Sequence, residues 1–121
     1  MRRKITIVGA GRVGETTALL LAQKDLADLV LVDIVPNLAA GKALDLTEMR
    51  PLAGADVSIV GSQSFDEAKG SDVVVVTSGL PRKPGESRED LLKKNLDIVR
   101  GVVEQVKKAA PDAFLVMVAP L

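Results

Sequence analysis

Residues 4–18 read K-I-T-I-V-G-A-G-R-V-G-E-T-T-A, and residues 29–33 read L-V-L-V-D. A short apolar run, a glycine-rich turn, an amphipathic segment and a second apolar run that ends on an acid follow one another in that order. Each glycine has a physical task if the turn approaches a dinucleotide. Gly9 lets the chain turn sharply off a strand, Gly11 removes a side chain where backbone meets a pyrophosphate, and Gly14 lets the following helix pack close to the sheet. The free N–H groups of that helix, and the positive end of its dipole, then face the phosphates, which makes Arg12 and Val13 cofactor-binding positions along with the three glycines. Asp33 lies about twenty residues beyond the turn, where a carboxylate accepts the hydroxyls of the adenosine ribose. The same carboxylate repels a 2′-phosphate, which points to NAD rather than NADP.

Two plainer readings stand beside this one. The glycines can be a simple strand-to-helix turn and Asp33 a solvated acid at a strand end, but the spacing between them favours the ribose role. The stretch also comes within one residue of a triphosphate-binding loop, G-x-x-x-x-G-K-[ST]. Glu15 holds the position of the lysine, and a carboxylate there repels phosphate where the loop needs a cation.

Outward from this stretch, short apolar runs alternate with helical periodicity. Residues 5–8 form a buried strand, residues 12–24 the first helix and residues 29–32 a second strand, apolar throughout as suits a parallel strand covered on both faces. Pro36 suits the first turn of a second helix that runs to Met49, with Pro51 as its stop. Residues 56–60 make a less hydrophobic strand, expected at a sheet edge. Ser64 and Glu67 form a capping-box pair around one helical turn, which Gly70 ends. Residues 72–76, with four consecutive valines, give the central strand. Two prolines and two glycines then enforce a loop from Thr77 to Ser87. Ser87 and Asp90 resemble a capping box, and Leu92, Leu96, Val99, Val103 and Val106 mark the core face of a long helix that ends near Ala110. Residues 113–118 are the fifth strand. Alternation of this kind calls for right-handed crossovers and a Rossmann-type, doubly wound α/β fold, a single domain with five parallel strands in the order 3-2-1-4-5.

Composition narrows the function. A chain of 121 residues, 47% apolar, builds one core without disulfides or metal. Sixteen basic residues balance sixteen acidic ones, so no positive field selects nucleic acid or an anionic membrane. No apolar run approaches a membrane span or a signal peptide. There is no cysteine, consistent with a cytoplasmic location and excluding thiolate chemistry, and no metal site is expected. There is also no histidine, which removes the usual acid–base group near neutral pH.

At residues 77–92 the chain reads T-S-G-L-P-R-K-P-G-E-S-R-E-D-L-L, which resembles the active-site loop of lactate-dehydrogenase-like malate dehydrogenases. G-A-G-R-V-G at residues 9–14, D-I at 33–34 and G-K-A-L-D-L at 41–46 are similar to the same family in the same order. The resemblance implies that Arg82 reads the far carboxylate of a dicarboxylic acid and that Arg88 polarises the carbonyl receiving hydride. It implies that Thr77, Ser78 and Gly79 lie against the cofactor, that Ile34 flanks the adenine, and that Asn95 is a cofactor-contacting position. It also implies a homo-oligomer, with the helix carrying residues 41–46 at a dimer contact. The second domain of that family, with its histidine–aspartate pair, has no counterpart here, and Ala119 stands where the family has an asparagine before proline. The expectation is therefore residues 1–121 as a dinucleotide-binding domain alone, a cut half that binds NAD(H) without oxidising malate by itself. The alternatives are a folded scaffold that binds no nucleotide and a half-enzyme completed by a second chain.

Overall fold

A computed structural model of the chain describes residues 2–77 and 84–118. The expectations for Ser78, Gly79, Arg82 and Ala119 lie outside those residues. Five strands, β1 (Arg3–Val8), β2 (Ala27–Val32), β3 (Ile59–Ser62), β4 (Val73–Val76) and β5 (Phe114–Met117), form one parallel sheet in the order β3-β2-β1-β4-β5. Helices α1 (Arg12–Lys24), α2 (Leu38–Ala53) and α3 (Arg88–Ala109), with a 3-10 turn at Asp66–Ala68, make the crossovers. This is the doubly wound sheet expected from the alternation, and its order reverses between β1 and β4. Among the described residues no helix is long and apolar enough to cross a membrane.

Period-two alternation splits the core into two layers. Ile7, Leu29, Leu31 and Val75 face α1 and α2, where Ala18, Ala22, Ala43 and Leu46 meet them. Val8, Val74 and Val76 face the opposite way, against Val106 and Ala110 at the C-terminal end of α3. Small residues on the inner faces of α1 and α2 bring those helices close. A Cβ on Gly61 of β3 would lie 2.1 Å from the carbonyl oxygen of Ala39, so α2 crosses β3 at backbone contact. One buried polar chain interrupts the α3 side: Thr6 Oγ1 and Ser71 Oγ are 2.6 Å apart, and Ser71 Oγ donates to Ala68 O at 2.7 Å.

Five local expectations need correction. Pro36 lies outside α2, whose N-cap is Asn37 in the left-handed region (φ 63°). Pro51 does not stop that helix; it sits in the last turn, and Gly54 (φ 69°) ends it. A proline there removes the N–H that would bond Thr47 O, and Arg50 Nε donates to that carbonyl at 3.1 Å instead. The Arg50 guanidinium also donates to Val57 O at 2.7 Å, so one side chain ties the helix end to the chain entering β3.

The ladder of β3 begins at Ile59, later than the expected residue 56. The approach to it is pinned by side chains, with Asp56 N donating to Asp25 Oδ1 at 3.0 Å and Ser58 N to Asp28 Oδ1 at 2.9 Å. Ser64 and Glu67 make no capping box. Phe65 is the N-cap of the 3-10 turn and has no side-chain cap bond, while Ser64 Oγ accepts from Asp66 N at 3.4 Å. Gly70 (φ 78°) does follow that turn as expected.

The fifth correction is the packed face of α3, and it concerns only the first half of the helix. Leu92 and Leu96 are 41% and 46% exposed, but Val99 and Val103 are half-buried and Val106 is buried, as expected. Asn95 is buried and Leu91, Ile98 and Val102 are half-buried beside them, so the packed face begins on Leu91 and Asn95 and joins the expected stripe from Val99 onward. Ser87 caps α3 as expected, its Oγ accepting from Asp90 N at 3.1 Å.

Candidate functional site

The C-terminal ends of β1, β2 and β4 converge where the strand order reverses, and the glycine turn leaves β1 at that point. Gly9 has φ 103°, a conformation other residues rarely adopt, and its N–H donates to Val32 O at 2.7 Å. Gly14 is required by contact: a Cβ there would lie 1.8 Å from Gly9 O and 3.2 Å from Thr77 Oγ1. Gly11 differs from both. Its φ of −75° suits any residue, and a Cβ would meet nothing within 4 Å. The fold itself does not ask for glycine at Gly11, so the open space belongs to whatever approaches the turn.

Gly11 is the N-cap of α1, and no side chain caps that end. Glu15 N donates to Gly11 O at 2.8 Å, the first bond of the helix. The N–H groups of Arg12, Val13 and Gly14 precede that first bond and stand at the positive end of the dipole. Arg12 and Val13 are exposed beside them.

Asp33 closes the other side. Its Oδ2 accepts from Ala10 N at 2.7 Å and its Oδ1 from Val35 N at 2.9 Å. These two amides fix the carboxylate plane and leave each oxygen a further lone pair for a hydroxyl group. The bond to Ala10 ties the end of β2 to the glycine turn, so the acid and the turn are one assembly. Sequence reading missed this link, because a backbone amide leaves no residue signature. Ile34 follows, 84% exposed, with Val35 half-exposed beside it, an apolar surface flanking the carboxylate.

Thr77 supports the turn from β4. Its hydroxyl lies 2.9 Å from Val8 O and 3.2 Å from Gly9 O, and its N–H donates to Val8 O at 2.8 Å. The structure thus places Gly9, Gly11, Arg12, Val13, Gly14, Asp33, Ile34 and Thr77 at the C-terminal ends of β1, β2 and β4 and the start of α1. Arg88 stands apart as the exposed first residue of α3. Asn95 is 1% exposed on the inner face of α3, so a contact between its amide and a cofactor requires a shift of the side chain or the helix.

One further group was not anticipated. Lys42 Nζ of α2 donates to Glu15 Oε2 at 2.8 Å, bridging α2 to the first turn of α1. The only sequence signal for it was the G-K-A-L-D-L segment, which gives no hint of its partner.

Comparison with known proteins agrees with this geometry. Residues 3–120 match the family model described as the lactate/malate dehydrogenase, NAD binding domain. The chain is 60% identical over 118 residues to malate dehydrogenase of Thermomicrobium roseum, covering 98% of this chain and 38% of that one. It superimposes on Cryptosporidium parvum malate dehydrogenase with a TM-score of 0.90 at 47% identity, over 97% of this chain and 37% of the other. Lactate dehydrogenase of the same organism, solved with lactic acid and nicotinamide adenine dinucleotide, gives a TM-score of 0.89 at 38% identity over 97% of this chain and 37% of that chain. The chain thus spans little more than a third of the length of these relatives. Matched by that family model over residues 3–120, the chain belongs to the lactate/malate dehydrogenase NAD-binding domain family.

Proposed function

We propose that this chain binds NAD(H) in the crevice at the ends of β1, β2 and β4. The observation that carries the reading is Gly11, a glycine with ordinary backbone angles and no neighbour for a Cβ, set beside three N–H groups at an uncapped helix end. The pyrophosphate lies against those groups, the ribose hydroxyls on Asp33, and the adenine along Ile34 and Val35. Nicotinamide supplies the hydride chemistry when bound. Asp33 orients the ribose and excludes a 2′-phosphate, while Thr77 holds the turn that the phosphates approach. The family resemblance adds Ser78, Gly79 and Asn95 as further cofactor-contacting positions.

In the whole enzyme the substrate is a dicarboxylic acid, its far carboxylate read by Arg82 and its carbonyl polarised by Arg88. This chain has no histidine to move the proton of an alcohol oxidation, so malate turnover by it alone is negligible. We further assign it a cytoplasmic location and a homo-oligomeric state.

Titration of NADH into the purified chain, followed by nicotinamide fluorescence or heat, tests the reading, and the absence of tryptophan keeps protein emission out of the way. Saturable binding with a raised thermal midpoint is expected. No saturation at millimolar cofactor sinks it and leaves a scaffold. Malate-dependent NADH formation that scales with purified chain across preparations would refute the assignment of inactivity.

A further inference from the structure

Glu15 presents a difficulty for any anion at the glycine turn. An acid in the first turn of a helix stabilises that helix by offsetting the positive dipole end, and so weakens the attraction felt by a pyrophosphate. The argument that excludes a triphosphate loop therefore bears on a dinucleotide as well. The structure answers it with Lys42, which reaches from α2 to place its ammonium 2.8 Å from Glu15 Oε2.

The two residues are 27 positions apart, and their side chains are 38% and 30% exposed, so the pair is screened only in part. At that separation the two charges present a nearly neutral group to anything several ångströms away. The field of the three unpaired N–H groups then remains available to the ligand.

We propose that Lys42 is a positioning residue for the cofactor: it cancels Glu15 and keeps the α1 N-terminus receptive to the anionic bridge of a dinucleotide. The proposal rests on the NAD reading above. It assigns Lys42 no contact with the cofactor; its effect passes through Glu15.

The test is NADH affinity and thermal midpoint for the unaltered chain, Lys42→Met, Glu15→Gln and the double variant, at low and high salt. Lys42→Met uncovers the carboxylate and weakens NADH about three- to tenfold at low salt, a loss that shrinks as salt rises. Glu15→Gln binds NADH at least as tightly as the unaltered chain. The double variant returns to within about twofold of it, because removing both charges removes the effect.

A purely structural tie between α1 and α2 predicts otherwise. Either single change would then lower the midpoint and the affinity together. Opposite signs of the two affinity changes therefore support the proposal. Equal affinity for Lys42→Met and the unaltered chain overturns it, as does a double variant no better than Lys42→Met, which would make Lys42 a direct ligand. Failure of the unaltered chain to bind NADH overturns the NAD reading and this proposal together. Binding by the unaltered chain with unmoved variants overturns this proposal alone.

Discussion

The three glycines of the turn differ in what demands them, and the difference is measurable. Gly14→Ala drives a Cβ into the Gly9 carbonyl at 1.8 Å, backbone against backbone, and should cost about 3 kcal/mol, read as a lowered denaturation midpoint. Gly11→Ala meets nothing and should cost at most about 1 kcal/mol, the loss of a favourable N-cap residue. Its effect should fall on NADH affinity, by at least about tenfold, since the methyl group occupies ligand space. Equal loss of stability in the two variants would remove the argument that Gly11 serves a ligand. Asp33→Ser should weaken NAD and relax the rejection of NADP, because the carboxylate is the proposed ribose reader. It also releases Ala10 N and Val35 N, so a modest fall in stability, about 1–2 kcal/mol, should accompany it. An unchanged NAD-to-NADP preference would reduce Asp33 to a structural anchor of the turn.

Among the elements, α3 shows how correct local signals can leave the packed face right at one end of a helix and shifted at the other. Its Ser87 cap and its length were readable, because a hydroxyl before an acidic first turn specifies a helix start. Its buried face was readable only in part: Val99, Val103 and Val106 of the expected row are half-buried or buried, whereas Leu92 and Leu96 are exposed and Leu91 and Asn95 take their place. Leu91, Ile98 and Val102 form a second apolar row, and periodicity alone does not choose between rows a single residue apart. At the same end, Lys94 Nζ lies 2.7 Å from Glu86 Oε1. The hydrogen bond that the Lys94 ammonium donates to Glu86, and then the charge of that carboxylate, hold the ammonium above the ordinary lysine pKa of 10.5. A raised lysine value means that the pair's contribution is fully present below the unfolded pKa and is lost as pH rises through the folded one. Thermal midpoints recorded from pH 9 to 12 should therefore fall a little more steeply for the unaltered chain than for Glu86→Gln. Lys94 is exposed, so the difference is small. Identical alkaline profiles would show that the ion pair contributes nothing to folding.

For the whole molecule, the outstanding surface feature is β5. Phe114 is 79% exposed, and Leu115, Val116, Met117 and Val118 are all exposed along the same strand, which carries no charge. An uncharged apolar edge strand is a template for pairing with another chain. The proposed homo-oligomer has a second possible contact on the outer face of α2, where Leu44 is exposed beside Ala40 and Gly41. Light scattering across a concentration series separates the two. Val116→Lys should shift the chain toward monomer if the β5 edge is the contact, and Leu44→Glu should do so if α2 is. A monomer in the unaltered chain at all concentrations would exclude both.

The sequence by itself determined the number, order and type of the elements and the parallel sheet with its strand order. These are carried by local chemistry: glycine freedom, proline, capping hydroxyls and the period of apolar residues, all written in contiguous residues. Only the tertiary structure decided which row of α3 faces the sheet, where Arg50 sends its guanidinium to let α2 run past Pro51, and that Asp33 grips the Ala10 amide. It alone decided that Lys42 meets Glu15 across 27 positions. Each of these is a contact between segments brought together by the crossovers, and a long side chain or a backbone amide gives no sign in sequence of the partner that folding will supply.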